Sequence, residues 1–278
     1  MARRSVLFSP GDQPALLRKA PDSGADVVVF DLEDAVAPGQ KAAARETVAA
    51  VLAEVDPDRE LCVRVNPLAN GGRDDLDAVV DSETVDSVML PKTSGPKAAW
   101  RLRQELDDNG ADWPIIALLE TAAGILNARD IATVAGVDAL AFGAEDLSAD
   151  TGATRTDEGH EISYARQRVV LAANAADIDA IDTLVTDFED TDHLEADAAR
   201  SVEYGYDGKM AIHPSQVSVI NEAFTPDEEA IAWAESVIEA RDATDRGVFK
   251  VDGEMIDAPL IAQAEQILER ARAAGRLP

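Results

Sequence analysis

Six carboxylates stand at or just after short apolar runs in this chain: Asp31, Glu33, Asp34, Glu120, Glu145 and Asp146. Each follows a segment that must be buried, so a solvated face explains them poorly. Acids gathered in one place repel one another unless a cation holds them. Magnesium suits such a set: it takes oxygen ligands, often only one or two carboxylates, and keeps positions open for water and substrate. Zinc suits it badly, since His160, His193 and His213 lack the spacing of a zinc site. Taken singly, an acid at a strand end is also an ordinary helix cap. Arg64 stands inside the apolar run 61–66, where a charge is costly unless paired. Its planar guanidinium could grip a substrate carboxylate with two hydrogen bonds, or pair structurally with Asp31 or Glu120. Asp257, two residues before Pro259, reads by pattern as the cap of a final helix.

These residues punctuate a regular beat. Apolar runs at 6–8, 25–32, 61–66, 87–91, 115–120, 139–143, 180–185 and 208–213 read as strands. Segments such as 40–54, 96–108 and 164–176 between them read as amphipathic helices. Eight strand–helix alternations predict a parallel sheet closed into a TIM (β/α)8 barrel over residues 1–225. An open doubly wound sheet is the structural alternative, but no Gly-x-Gly-x-x-Gly follows the first strand to favour it. In such barrels the active site lies at the carboxyl ends of the strands. Those ends read as Ser9–Gly11, Asp31–Asp34, Arg64–Asn66, Pro91–Lys92, Glu120–Thr121, Gly143–Asp146, Asp187 and His213–Pro214. Nearly every strand therefore delivers a polar group to one rim. Residues 226–278 fall outside the beat. They read as a helix over 226–241, a loop over 244–257 with Gly247 and Gly253 as turn points, and a last helix over 259–272. Such a C-terminal helical extension is material for a lid or a subunit contact.

Composition narrows the setting. The chain has 278 residues, 54 acidic against 25 basic, for a net charge of −29. That excess repels nucleic acid and anionic membranes. No apolar stretch approaches the roughly 20 residues of a membrane span, and the segment Met1–Phe8 has no long apolar region behind its arginines, so no signal peptide is expected. The single cysteine, Cys62, lies in an apolar strand and reads as a small core residue, consistent with a reducing cytoplasm. Only six of the basic residues are lysines. Scarce lysine, abundant alanine and an acidic surface together suggest a protein adapted to a high-salt cytoplasm, a halophilic chain whose self-repulsion is screened.

Nine ordered segments carry a family resemblance: Arg4–Gly11, Asp31–Val36, Val63–Pro67, Met89–Lys92, Glu120–Gly124, Phe142–Asp146, Tyr164–Arg166, Gly208–Gln216 and Met255–Pro259. Through them the chain resembles the citrate lyase β-subunit-like lyases over nearly its whole length. The resemblance implies that Glu120 and Asp146 ligate Mg2+, and that Arg64 contacts the substrate's carboxylate or keto oxygen. It implies that Asp257 reaches from the C-terminal lid into a neighbouring subunit's site, as general acid or base on the acetyl-CoA methyl carbon. Phe8, Lys19 and the pair Ile212 and His213 match positions lining the CoA thioester site, and Asp31 and Asp34 match carboxylates that orient metal-bound water. The family's trimers, or dimers of trimers, would make this chain a homotrimer or a hexamer. The implied reaction is Claisen-type cleavage of a 3-hydroxyacyl-CoA (malyl-, methylmalyl- or citramalyl-CoA) to acetyl- or propionyl-CoA plus glyoxylate or pyruvate. Alternatives within the resemblance are a malyl-CoA thioesterase or apparent malate synthase, and a citrate lyase subunit acting on an acyl-carrier protein. The sequence departs from the family at Gln13 and Ala15, where relatives often carry basic residues near the CoA phosphates.

Overall fold

The computed structural model describes residues 2–55, 58–244 and 246–278. The chain divides into two compact units, Arg3–Asn221 and a second made chiefly of Glu222–Pro278.

In the first unit eight strands close a barrel: β1 Ser5–Pro10, β2 Val27–Asp31, β3 Glu60–Arg64, β4 Ser87–Leu90, β5 Ile115–Leu119, β6 Val137–Phe142, β7 Asp179–Asp182 and β8 Gly208–Ala211. Each pairs in parallel with the next, and β1 closes on β8 with Val6 opposite Met210. Parallel strands need crossovers, and helices supply them: α1 Pro14–Lys19, α2 Lys41–Leu52, α3 Gly72–Val79, α4 Pro96–Asp108, α5 Ala122–Leu126, α6 Ala128–Ala132, α7 Ala144–Thr151, α8 Ser163–Asn174 and α9 Thr191–Tyr204. A further helix, α10 Pro214–Ala223, follows β8. The expected barrel is therefore the observed one. No helix among the described residues is long and apolar enough to cross a membrane.

Side chains alternate across a strand, so every second residue enters the barrel. Val6, Val27, Val29, Cys62, Met89, Ile116, Leu118, Ala139, Ala141, Ile181 and Met210 fill it as one apolar cluster. Cys62 is fully buried there, and burial pushes its thiol up to about 12. That settles it as a packing residue. Two groups of ion pairs brace the wall. At the amino ends of the strands Arg3 pairs with Glu60 (2.6 Å), Asp138 (2.7 Å) and Asp179 (3.0 Å). Behind β7 and β8, buried Arg166 bridges Asp182 and Asp197 while fully buried Lys209 donates to Asp197 and to the Thr183 carbonyl. This network ties β7 and β8 to α8 and α9.

The second unit packs α11 Glu228–Asp242 and α12 Ala258–Ala273 around Ala234, Val237, Ile256, Ala264 and Leu268. The segment expected to be a loop instead carries an antiparallel hairpin, β9 Phe249–Val251 and β10 Glu254–Ile256. Its two turn residues, Asp252 and Gly253, have φ of 47° and 92°. Positive φ at both central positions is what a tight hairpin turn needs, and Asp-Gly is the sequence that supplies it. Gly247 and Gly253 alone do not reveal the two short strands.

Candidate active site

The period of two that fills the barrel also builds its mouth. Counting two residues beyond the last core residue gives Phe8, Asp31, Arg64, Glu120, Gly143, Thr183 and Ile212 on seven strands, while β4 gives Pro91, which lies outside the cavity lining. The other seven line one cavity of about 160 Å³, together with Ala35, Leu118, Ala144, Glu145, Asp146, Leu184 and Met210. The site is thus the continuation of the core pleat, polar at Asp31, Arg64, Glu120 and Thr183 and non-polar at Phe8, Gly143 and Ile212.

Glu120 and Asp146 come together. Glu120 extends from β5 and is 3 % exposed; Asp146 sits in the first turn of α7, half-buried. Their side chains share a hydrogen bond, and Glu120's carboxyl is raised from 4.5 to about 8, first by burial and then by the adjacent Asp146 charge. Oε1 of Glu120 accepts the Lys92 backbone N–H at 2.7 Å. On its other flank lies Gly143, where a Cβ would fall 2.7 Å from Glu120 Cβ and 2.9 Å from Oε2.

The other mouth acids are matched by cations. Asp31, fully buried, accepts Arg64 Nε at 2.7 Å and Nη2 at 2.6 Å, plus the backbone N–H groups of Glu33 (2.8 Å) and Ala35 (3.1 Å). A carboxylate has about four acceptor sites, and these four donors fill them. Burial alone would lower Arg64's pKa; the Asp31 hydrogen bonds and charge reverse that and raise it. Arg64 Nη1 lies 3.5 Å from Glu33, and the guanidinium carbon sits 4.8 Å from the centre of the Phe8 ring. Lys92 Nζ pairs with Glu33 and with Asp34 (2.8 Å). Arg155 Nε pairs with Glu145 at 2.8 Å. Among the described residues no lysine, arginine or histidine forms an ion pair with Glu120 or Asp146, although nearly every other acid at the mouth has one.

That difference tests the metal. Two abutting carboxylates, one nearly sealed from water and neither paired to a protein cation, fit a small divalent ion that takes few protein ligands and leaves positions for substrate oxygens. No cluster of three or more such ligands occurs among the described residues, which suits magnesium better than an all-protein cage.

The remaining expected residues fall into three places. Phe8 and Ile212 line the cavity. Lys19, at the end of α1, Asp34 and His213 are exposed and outside the cavity lining; His213 stacks on Phe188 at 4.6 Å and its Nδ1 lies 2.7 Å from Ser215 Oγ. Asp257 belongs to the second unit, exposed at the N-cap position of α12. Its side chain makes no capping hydrogen bond, whereas Asp190 and Asp227 both cap their helices. The capping expectation for Asp257 is therefore not met, and its carboxylate is uncommitted to its own helix. Thr183, Leu184 and the backbone of Lys92 are site elements that the sequence pattern does not reveal. The apolar pattern carries strand seven on to Asp187, whereas β7 stops at Asp182 and Thr183 occupies the mouth. A larger polar cavity of about 330 Å³ adjoins across Glu145, Thr183 and Leu184, but it touches neither Glu120 nor Asp146.

Comparison with known proteins agrees with this geometry. The model of the HpcH/HpaI aldolase/citrate lyase family matches residues 4–214, and that of a C–C bond lyase of the TIM-barrel fold matches residues 159–276. A citrate lyase subunit beta-like protein of Deinococcus radiodurans is 40% identical, over 95% of this chain and 96% of the relative. The mitochondrial citramalyl-CoA lyase of Rattus norvegicus is 37% identical, over 97% and 86%. Among solved structures, protein CitE from Mycobacterium tuberculosis, in complex with magnesium, acetoacetate and coenzyme A, superposes with a TM-score of 0.83 at 36% identity and covers 98% of both chains.

Proposed function

From the premise that the chain belongs to the HpcH/HpaI aldolase/citrate lyase family, we propose that it is a Mg2+-dependent carbon–carbon lyase acting on a short 3-hydroxyacyl-CoA. The substrate would carry a carboxylate beside its hydroxyl, as malyl-, methylmalyl- and citramalyl-CoA do. One observation carries the reading: of the mouth acids, buried Glu120 and the half-buried Asp146 that touches it are the two without an ion-paired protein cation among the described residues.

Glu120 and Asp146 would hold the magnesium, which when bound would act as a Lewis acid toward the substrate's carboxylate and hydroxyl oxygens. The cleavage balances without water. The hydroxyl proton is released, the C–C electron pair moves onto the thioester as an enolate, and one proton returned to that carbon completes acetyl-CoA or propionyl-CoA. Arg64 supplies fixed positive charge where the keto acid develops, its orientation set in advance by Asp31, so little reorganisation is left for the reaction itself. Phe8 and Ile212 close apolar sides of the cavity and exclude water from the enolate. Asp257, free of any cap, is suited to deliver the returning proton, and in this reading a neighbouring copy presents it. The cavity of about 160 Å³ is small beside typical ligand pockets of roughly 300–1,000 Å³. It suits the hydroxy-acid end of the substrate, with the CoA arm lying outside along the rim near Lys19 and His213.

The test is product analysis. The purified protein is incubated with malyl-, methylmalyl- and citramalyl-CoA in molar salt, with Mg2+ or with EDTA. Acetyl- or propionyl-CoA plus glyoxylate or pyruvate, lost in EDTA, is the expected result. Free CoA plus a hydroxy acid would make the protein a thioesterase, and turnover unaffected by EDTA would remove the metal from the scheme.

A further inference from the structure

Among the described residues Glu120 is the one glutamate at the mouth that lacks an ion-pair partner, yet it is held in one place. Two neighbours on adjacent strands do this. After β4 the backbone of Lys92 takes a left-handed conformation, φ 51°, one of three such non-glycine residues among those described. That turn points the Lys92 N–H at Glu120 Oε1, 2.7 Å away. The next residue resumes the strand pairing, Thr93 N–H donating to the Leu118 carbonyl at 3.1 Å, so the left-handed step is a single-residue deviation. On the opposite flank, after β6, Gly143 leaves bare the space that a Cβ would take from Glu120 Cβ and Oε2. Gly143 has an ordinary φ of −107°, so it is the room and not the backbone that calls for glycine.

We propose that Lys92 and Gly143 are positioning residues that form a slot for Glu120: the Lys92 amide fixes Oε1, and the bare Cα of Gly143 leaves Oε2 free to face Asp146 and a divalent cation. The inference rests on the reading of Glu120 as a metal ligand. Its distinctive content is that Lys92 acts on the metal through its backbone. A left-handed residue is easiest for glycine, acceptable for asparagine and worst for a β-branched side chain. Lysine at this position is explained by its ammonium, which bridges Glu33 and Asp34 and so joins the β2 loop to the slot.

Mn2+ alone is the probe, titrated calorimetrically into the wild type and four variants, with thermal melts of the metal-free proteins alongside. Lys92→Gly and Lys92→Asn keep the left-handed turn and lose the ammonium; they are expected to bind Mn2+ as tightly as wild type or more tightly, since a nearby positive charge is gone. Lys92→Val and Gly143→Ala are expected to weaken binding about ten-fold or more, the scale seen when a ligand's supporting contact is lost. Hydrogen exchange of the Lys92 amide supplies a reading that needs no metal: it should quicken in Glu120→Ala and stay slow in Glu120→Gln. Should Lys92→Gly and Lys92→Asn weaken Mn2+ as much as Lys92→Val does, the ammonium and not the backbone is responsible, and the slot is wrong while the metal site stands. If the Lys92 amide exchanges equally fast in wild type and Glu120→Ala, the hydrogen bond at the centre of the inference is absent. A wild type that bound no Mn2+ would overturn the slot and the metal reading together.

Discussion

Replacing Glu120 by glutamine should abolish cleavage and, in the absence of metal, make the protein more stable. The carboxyl of Glu120 is raised from 4.5 to about 8 by burial and by Asp146. Between those two values the folded protein holds a proton that the unfolded chain has released. Stability therefore falls as pH rises through that window, and the whole loss is present above pH 8. Each tenfold change in proton affinity is worth about 1.4 kcal/mol, so the displacement corresponds to a ceiling of about 5 kcal/mol. The Glu120→Gln variant would escape it: the new amide oxygen can still accept the Lys92 N–H, and the amide NH2 can donate to Asp146. The assay is urea unfolding of both proteins in EDTA at pH 5, 6.5 and 8, at one fixed KCl concentration. The other carboxylates are common to both, so the difference between the two pH profiles isolates Glu120. The variant should gain on the wild type from pH 5 to pH 8 by several kcal/mol. Mg2+ should then close much of that gap, since a ligand at a hundred times its Kd stabilises the state it binds by about 2.7 kcal/mol, and only the wild type binds it. Parallel pH profiles for the two proteins, or equal stabilisation of both by Mg2+, would refute the reasoning.

Four other outcomes follow from the same geometry. Asp31→Asn removes the charge that holds Arg64, so it should cost about 3 kcal/mol of stability, as broken buried pairs do, and most of the activity, while Mn2+ affinity measured calorimetrically stays near wild type. Lys209→Met strips a fully buried cation from Asp197 and Asp182; urea unfolding should show a loss of about 3–5 kcal/mol. Asp257→Asn should leave the melting temperature unchanged, because no cap is lost, yet eliminate turnover. Mixing it with Glu120→Gln, itself inactive, should restore partial activity if a neighbouring copy supplies Asp257, and no recovery would place both residues in one chain's site. Stability should climb between dilute buffer and 1 M KCl, where the screening length shrinks from about 30 to about 3 Å; a protein equally stable in both would contradict the halophilic reading.

The barrel is legible in the sequence because its signal is redundant. Eight apolar runs each have to be buried, and their alternation with helices favours a closed barrel over an open doubly wound sheet. The positions of Arg64 and Glu120 are legible for the same reason: each breaks an apolar run at a strand's carboxyl end, where a charge must have a purpose. Register within the mouth is harder. The apolar residues continue to Val185, which extends strand seven toward Asp187 on pattern alone, but β7 ends at Asp182 and the chain leaves the barrel wall there. Counting in twos from Ile181 finds Thr183. The hairpin of the second unit announces its turn through Asp252 and Gly253, but three-residue strands are too short to show a period. The turn at Lys92 carries no signal at all, since lysine has no preference for left-handed backbone.

Six mouth acids stand in the sequence, and residue pattern alone does not rank them; only the family resemblance singles out Glu120 and Asp146, and the ranking is what decides the chemistry. Composition suggests only that a cation belongs somewhere in the set. The structure divides the set by charge balance. Arg64 is committed to Asp31 and reaches Glu33, Lys92 spans Glu33 and Asp34, and Arg155 answers Glu145. These three cations arrive from three different segments, which no local pattern could have linked. The two acids left over touch each other, and burial keeps the more buried of them mostly protonated at neutral pH. On a surface as acidic as this one, exposed carboxylates offer a divalent ion only weak, screened attraction. Glu120, beside Asp146, offers the opposite: a buried carboxyl whose ionisation is costly until an ion arrives, so that binding an ion there would also release its proton. Selectivity for the site over the many other acids of the chain then comes from desolvation and proximity rather than from the number of negative charges.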